Sequence, residues 1–177
     1  MPGMSDTGCR VRRTSGSTNW TGCGTRSMAH NQDWLEWLSC LNGRHVEYLL
    51  VGGMALAHHG IPRYTGDLDV FIRPTRENAE RVLQALRDFG FGALEIGTAD
   101  LASAGRVVQL GYPPGRIDLI TSIDGVPWED ADGTAEAGRY GDVSTRFIGR
   151  AEMIRNKRAS GRPQDLADAA RLESIDR

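Results

Sequence analysis

The chain has 177 residues, of which 40% are hydrophobic and 25% charged, and its formal net charge is −2. This composition is that of one ordinary globular domain with room for a hydrophobic core. It weighs against a protein that binds long duplex nucleic acid through a global excess of basic charge, but not against an enzyme that binds one end of an RNA. No apolar run is long enough to cross a membrane.

The N-terminal segment differs in composition from the rest of the chain. Residues 1–29 are rich in Gly, Ser, Thr and Arg and have few apolar side chains, so they cannot bury enough surface to offset the entropy of ordering. We expect a disordered or loosely ordered tail over 1–29 and one folded domain over 30–177. The segment has no apolar stretch of the signal-peptide kind, and a translation start at Met28 is a hypothesis that fits its composition.

The cysteines indicate a reducing compartment. Cys9, Cys23 and Cys40 are an odd number, lie far apart and do not have the spacing of metal ligands. We therefore expect a cytoplasmic protein without disulfide bonds.

The first predicted elements are a helix, a strand and a short second helix. Apolar residues over 33–41 recur at helical spacing, and Asn42-Gly43 is predicted to cap that helix. Trp34 and Trp37 on it are interpreted as packing residues. Residues 48–51 form an apolar run that predicts a buried strand, and a short helix is predicted to start at Met54.

Gly52-Gly53 lies between this strand and this helix. A strand, a glycine turn and a helix N-terminus form a known anion-binding arrangement. Because a glycine has no Cβ, the backbone of Gly52 and Gly53 could approach a phosphate closely. The alternative interpretation is an ordinary tight loop.

Asp67 and Asp69 follow on the next predicted strand, over about 67–73. Side chains at i and i+2 of a strand project from the same face, so the two carboxylates lie together, while Leu68 and Val70 point into the core. Adjacent carboxylates repel each other, and a divalent cation would remove the repulsion. Hard oxygen ligands of this kind suit magnesium. Asp-x-Asp pairs are also common in turns.

The remaining elements complete an alternating pattern. A long helix is predicted from Thr75, as N-cap, to Gly90, followed by a hairpin of strands at 106–110 and 116–121. A weaker strand over 143–148 and two helices, near 150–158 and 163–174, close the chain. The segment 124–142 is acidic, and basic residues crowd 146–162.

The spacing Gly52-Gly53…Asp67-x-Asp69 resembles the nucleotidyltransferase superfamily with the polymerase-beta-like fold. The resemblance implies an α/β (α+β) fold with a mixed central sheet and helices packed against it. It also implies a third carboxylate on a later strand, for which Asp118 is the candidate. Asp67, Asp69 and Asp118 would then bind two Mg²⁺ ions, with Mn²⁺ as a substitute, and catalyse transfer of a nucleoside monophosphate from a nucleoside triphosphate.

A second, narrower resemblance concerns the C-terminal run Lys157-Arg158-Ala159-Ser160-Gly161-Arg162-Pro163-Gln164-Asp165-Leu166-Ala167-Asp168. Together with 62–69, it resembles minimal abortive-infection-type toxin nucleotidyltransferases. The resemblance implies that Lys157 contacts the triphosphate or the base, and that Asp165 orients Lys157 or Arg162. It also implies an antitoxin as a partner.

Two residues just before the carboxylates have alternative roles. Thr65 could donate its hydroxyl to a phosphate or bond the local backbone. Arg63 could pair with the triphosphate through its planar guanidinium, or form a surface salt bridge. His58 and His59 have no Cys or His partner at zinc spacing and are interpreted as structural.

The acceptor of the nucleotide stays open between a tRNA or other RNA end, a protein and a small molecule. Two rival hypotheses remain. One is a catalytically silent module of the same fold that acts as a toxin–antitoxin component. The other is an aminoglycoside-type adenylyltransferase, for which the acidic segment 124–142 would line the drug site.

Overall fold

A computed structural model describes residues 30–175 of the chain. The tail expected over 1–29 lies outside the described residues. Helices and strands follow in the order α1 Gln32–Gly43, β1 Tyr48–Leu50, α2 Gly52–His58, β2 Asp67–Ile72, α3 Arg76–Phe89, α4 Thr98–Ala102, β3 Val107–Leu110, β4 Arg116–Ile120, α5 Trp128–Gly133, β5 Glu136–Tyr140, β6 Val143–Phe147, α6 Arg150–Ser160 and α7 Pro163–Ser174.

The strands form one mixed sheet in the order β3-β4-β2-β1-β6-β5. β2 pairs with β4, and β1 with β6, in parallel, whereas the other three neighbouring pairs are antiparallel. The α/β fold with a mixed central sheet and the hairpin of β3 and β4 are therefore confirmed. One continuous core joins the sheet to α1, α2 and α3, and both Trp34 and Trp37 are buried in it, as predicted.

Local signals explain several helix ends. The Thr75 hydroxyl accepts a hydrogen bond from the Asn78 N–H, and α3 ends at Gly90, whose φ of +99° is left-handed. α7 begins at Pro163, where the missing N–H would have no helical partner in any case.

Other boundaries differ from the sequence-based expectation. α1 continues through Asn42 and Gly43 and is capped by Arg44, because the Arg44 N–H bonds back to the helix. α2 begins at Gly52 instead of Met54, so both glycines form its first turn. The acidic segment 124–142 contains α5 and β5, which were not predicted. β5 is an edge strand with mostly exposed residues, so it lacks an apolar pattern.

No helix of residues 30–175 is long and apolar enough to span a bilayer.

Asn78 is a buried polar residue that joins three elements. Its side-chain amide donates to the backbone oxygens of Glu47 and Arg73 and accepts from the Glu47 N–H, all within 3.0 Å. These bonds fix the start of α3 against the chain before β1 and after β2.

Replacing Asn78 by Ala is expected to reduce the free energy of unfolding by about 1–3 kcal/mol, because it leaves the Glu47 N–H without its acceptor. Urea unfolding measures the loss, with Gln84→Ala, an exposed change on the same helix, as the matched control near zero. An equal effect of both variants would contradict a structural role for the buried amide.

Candidate active site

The acidic side chains predicted from the sequence lie on adjacent parallel strands. In β2, Leu68 and Val70 are completely buried, while Asp67 and Asp69 alternate with them on the other face. The register pairs Asp69 with Asp118 of β4. The sheet therefore brings Asp67, Asp69 and Asp118 to one face, close to its centre.

Arg116 neutralises part of this cluster. It lies opposite Asp67 in the register, and one guanidinium nitrogen donates to Asp67 Oδ2 at 2.5 Å, while Nε lies 2.9 Å from Asp118 Oδ1. Sequence reasoning missed this residue. The signal that could have found it is its position two residues before Asp118, which places it on the same strand face.

Two of the three carboxylates keep oxygen atoms without hydrogen bonds. The Arg116 Nε–H is not directed at Asp118 Oδ1, so that buried oxygen has no hydrogen-bond partner among residues 30–175 in spite of the short distance. Asp118 Oδ2 has only a 3.4 Å contact with the Gln109 amide. No described residue donates a hydrogen bond to the Asp69 carboxylate. These oxygens fit a divalent cation, which Asp67, Asp69 and Asp118 could hold together.

Asp69 has a strongly perturbed acidity. Burial, as the largest cause, and the negative charges of Asp67 and Asp118 together raise its pKa from 3.8 to about 6. The charges of Lys157 and Arg116 oppose the rise. Repulsion among the carboxylates is therefore only partly offset by the chain's own cations.

The two glycines make room for the acidic residues. A Cβ at Gly52, where φ is +58°, would lie 1.9 Å from Asp69 Oδ2, and a Cβ at Gly53 would lie 2.8 Å from the Thr65 Cβ. Glycine at both positions is thus required by the neighbouring side chains. The predicted role of this turn in binding phosphate stays a prediction.

Thr65 contacts the acidic cluster directly. Its hydroxyl donates to Asp67 Oδ1 at 2.7 Å, and the Asp67 backbone oxygen lies 3.1 Å away. Together with Arg116, this bond engages both oxygens of the Asp67 carboxylate and fixes its orientation.

Lys157, which is buried, and Asp165, which is half-buried, form an ion pair at the same site. Lys157 Nζ lies 2.5 Å from Asp165 Oδ1, and the Ser160 hydroxyl donates to Asp165 Oδ2 at 2.6 Å. Burial raises the pKa of Asp165, but the hydrogen bonds from Lys157 and Ser160 outweigh it and hold the pKa below its ordinary value. Asp165 thus orients the Lys157 ammonium, whose charge acts on Asp69.

Arg63 is held from the last helix. Its guanidinium donates to Asp168 Oδ2 at 2.9 Å, and the Gln164 amide donates to the other oxygen at 3.1 Å. Asp168 is completely buried, whereas the Arg63 side chain is 41% exposed. The sequence reasoning quoted Asp168 without assigning it a role, although its spacing from Asp165 places both on one face of α7.

An adjacent cavity of about 730 Å³ shares Thr65 with the acidic cluster. Its walls are aromatic, apolar and basic, and none of the described lining residues is Asp or Glu. The lining includes Trp34, His58, Arg63, Tyr64, Arg139 and Tyr140.

The acidic segment 124–142 does not line this cavity with carboxylates. Asp130 lies 2.6 Å from Arg155, and Asp132 lies 2.7 Å from Arg146. Arg158 pairs in the same way with Glu173 of α7. Much of the C-terminal basic cluster is therefore neutralised by acidic residues on the surface.

The fold and the site define a nucleotidyltransferase-type domain. A candidate nucleotidyltransferase from Thermotoga maritima, known from its crystal structure, superimposes with a TM-score of 0.51 at 12% sequence identity, over 79% of this chain and 88% of that chain. At this identity the likeness shows the fold alone. No curated protein matches the chain.

The sequence family described as "Nucleotidyl transferase AbiEii toxin, Type IV TA system" matches residues 40–136. This range is more than half of the chain and contains Gly52, Gly53, Asp67, Asp69 and Asp118. The chain belongs to this family of toxin–antitoxin nucleotidyltransferases, and the superfamily expected from the sequence is confirmed.

Replacing Asp69 by Asn is expected to stabilise the metal-free protein at neutral pH. Because folding raises the pKa of Asp69 from 3.8 to about 6, its ionised form is disfavoured in the folded chain. The stability that protonated Asp69 contributes is complete below pH 3.8 and is lost as the pH rises through about 6. The variant should therefore equal the wild type at low pH and gain about 1–3 kcal/mol by pH 8.

Urea unfolding in EDTA across this pH range measures the difference. Asp88→Asn is a control in which the change in stability should have the opposite sign. The hydrogen bond from Arg44 lowers the pKa of Asp88, so loss of the Asp88 carboxylate should destabilise the protein at pH values above the ordinary pKa of an aspartate. A pH-independent effect of Asp69→Asn would contradict the raised pKa.

Proposed function

We propose that the protein uses Mg²⁺ to transfer a nucleoside monophosphate from a nucleoside triphosphate to an acceptor, with release of pyrophosphate. The observation that carries the proposal is the set of three carboxylates on one sheet face, with Asp69 and Asp118 paired in the strand register. The oxygens of Asp69 and the buried Oδ1 of Asp118 receive no hydrogen bond from the described residues. Such oxygens favour a divalent cation, and Mn²⁺ would satisfy the same ligands.

In the proposed reaction, an acceptor oxygen forms a bond to the α-phosphorus, and the bond from that phosphorus to the bridging oxygen of pyrophosphate breaks. Bound Mg²⁺ would supply charge stabilisation to the attacking and leaving oxygens. Asp67 and Asp69 would hold the ions, and Asp118 would complete the ligand set and accept the proton of the acceptor hydroxyl. Thr65 and Arg116 keep the Asp67 carboxylate in place.

Cationic side chains would bind the triphosphate. Lys157 is buried, oriented by Asp165 and electrostatically coupled to Asp69, so its ammonium is well placed to meet a phosphate beside the carboxylates. Arg63 is anchored by Asp168 yet partly exposed, which leaves part of its guanidinium available to the nucleotide or to an acceptor phosphate. Gly52 and Gly53 would let the backbone approach the β- and γ-phosphates.

The cavity beside the cluster favours an RNA end as the acceptor, for example a tRNA. Tyr64, which is 83% exposed, offers a surface on which a base can stack, and Arg63 and Arg139 offer positive charge. A cationic aminoglycoside would require acidic residues, and none of the described residues lining the cavity is acidic. The whole of 30–177 would form the catalytic domain, acting in the cytoplasm and controlled there by an antitoxin.

Replacing any of Asp67, Asp69 or Asp118 by Asn is expected to reduce nucleotide transfer by at least about 10²-fold, because each removes charge stabilisation at the reacting phosphate. The assay incubates the protein with Mg²⁺, each of four labelled triphosphates and total RNA, and follows label in RNA and in protein. Asp124→Asn, an exposed change, is the matched control with unchanged activity.

Absence of transfer to RNA, protein or aminoglycosides with every nucleotide, together with absence of Mg²⁺-dependent triphosphate binding, would establish the silent-module alternative. Transfer that survives all three substitutions would contradict the assignment of the site.

Arg116 offers a test of metal binding that does not depend on activity. In EDTA, Arg116→Met should reduce stability by about 1–3 kcal/mol, less than for a fully buried pair, because it leaves Asp67 and Asp118 without their cation. Millimolar Mg²⁺ should then raise the melting temperature of the variant more than that of the wild type.

Arg158→Met, which removes only a surface pair with Glu173, is the control with the wild-type response to Mg²⁺. Equal Mg²⁺-induced shifts in Arg116→Met and the wild type would mean that the ion does not bind these carboxylates.

A further inference from the structure

Three potential metal ligands meet at a second place, between α2 and the sheet edge. His58 and His59 end α2, and Glu136 is the first residue of the edge strand β5. One ligand atom from each lies within 4.8 Å of the other two. His58 Nε2 is 3.3 Å from Glu136 Oε2, and His59 Nδ1 is 3.9 Å from Glu136 Oε1.

The hydrogen bonding of His59 leaves one ring nitrogen directed at this point. His59 Nε2 lies 2.8 Å from the backbone oxygen of Ile148, and because a carbonyl only accepts, Nε2 carries the hydrogen. In the neutral ring, Nδ1 is then an acceptor that faces the Glu136 carboxylate, which is also an acceptor. A cation between them removes the conflict. A histidine that donates its other N–H to a carbonyl is a typical metal ligand.

His58 is held in place by packing. Its ring stacks on Phe147 with centroids 4.2 Å apart and planes only 4° from parallel. Gly138 of β5 makes this possible, since a Cβ there would lie 2.7 Å from Phe147 Cε2 and 3.0 Å from His58 Cε1. The two imidazoles are thus positioned by the fold, while Glu136 is exposed enough to adjust.

We propose that His58, His59 and Glu136 bind a transition-metal ion of the Zn²⁺ class. Two imidazole nitrogens and one carboxylate oxygen suit Zn²⁺, Ni²⁺ or Co²⁺ and do not suit Mg²⁺. Tetrahedral ligands about 2.0–2.1 Å from Zn²⁺ lie about 3.4 Å apart, so the cluster closes with about 1 Å of side-chain movement. Three protein ligands leave one position for water or a partner's side chain.

The ion would crosslink the end of α2 to the edge strand β5, which are already in polar contact through His58 and Glu136. α2 begins at Gly52 against Asp69, and β5 is the outer strand on the opposite side of β1 from β2. A metal at the end of α2 would fix this helix to β5, and His58 also lines the cavity beside the acidic cluster. The site is separate in ligands and in metal preference from Asp67, Asp69 and Asp118.

Calorimetric titration of the untagged full-length chain with Zn²⁺, after treatment with EDTA, tests the proposal. We expect one ion per chain, and d–d absorption of the Co²⁺ form in the range of tetrahedral nitrogen–oxygen ligation. Glu136→Gln and His58→Gln should each weaken Zn²⁺ binding by at least about 10-fold and abolish the Zn²⁺-induced rise in melting temperature.

Two controls keep the result specific. Glu129→Gln, another exposed acidic residue, and Asp69→Asn, which removes a ligand of the proposed Mg²⁺ site, should bind Zn²⁺ like the wild type. Binding that is lost in Asp69→Asn and retained in Glu136→Gln, or absence of Zn²⁺ binding by the wild type, would overturn the proposal. In the latter case a proton on His59 Nδ1 resolves the contact with Glu136.

Discussion

The central constraint of this protein is the presence of three like charges on one face of a sheet whose other face is its core. Leu68, Val70 and Leu119 are completely buried, and a shift of one residue in the pairing of β2 with β4 would move their neighbouring carboxylates into that core. The hydrophobic side chains therefore hold Asp69 beside Asp118. Packing thus holds the carboxylates together in spite of their electrostatic repulsion, which Arg116 only partly relieves, and this incomplete neutralisation is the basis of the proposed cation site.

The remaining cationic groups are Lys157 of α6 and Arg63 of the loop before β2, and each is held by one carboxylate of α7. Asp165 fixes Lys157 within the α6–α7 pair, and Asp168 reaches across the chain to fix Arg63. The two acidic residues are three positions apart and share one helix face. Both partners are therefore oriented by the same rigid element. A cation whose carboxylate partner is fixed in this way loses less conformational freedom on binding phosphate than a solvated side chain would.

The sequence predicted the parts of the site that follow local periodicity. Alternation along a strand placed Asp67 and Asp69 on one face, and the hairpin brought Asp118 beside them. It did not predict α5 and β5, because an edge strand with mostly exposed residues has no apolar pattern. Pairs between distant residues, such as Arg63 with Asp168, depend on the packed structure and have no signal in local spacing. The reason for glycine at position 52 was also hidden, since the side chain that needs the space lies seventeen positions later.

The acidic cluster and the adjacent cavity differ in how much of each lies within the family match. The carboxylates and the glycine turn lie inside residues 40–136, whereas much of the aromatic and basic wall of the adjacent cavity lies outside that range, at Trp34, Arg139 and Tyr140. Phosphate chemistry requires a fixed set of charges, but recognition of an acceptor requires only a surface of suitable shape and charge. Under the proposed function, that surface would include Arg63 and Tyr64 before β2 and Arg139 of β5. Differences at these positions would then be expected to change the acceptor while leaving Asp67, Asp69 and Asp118 in register.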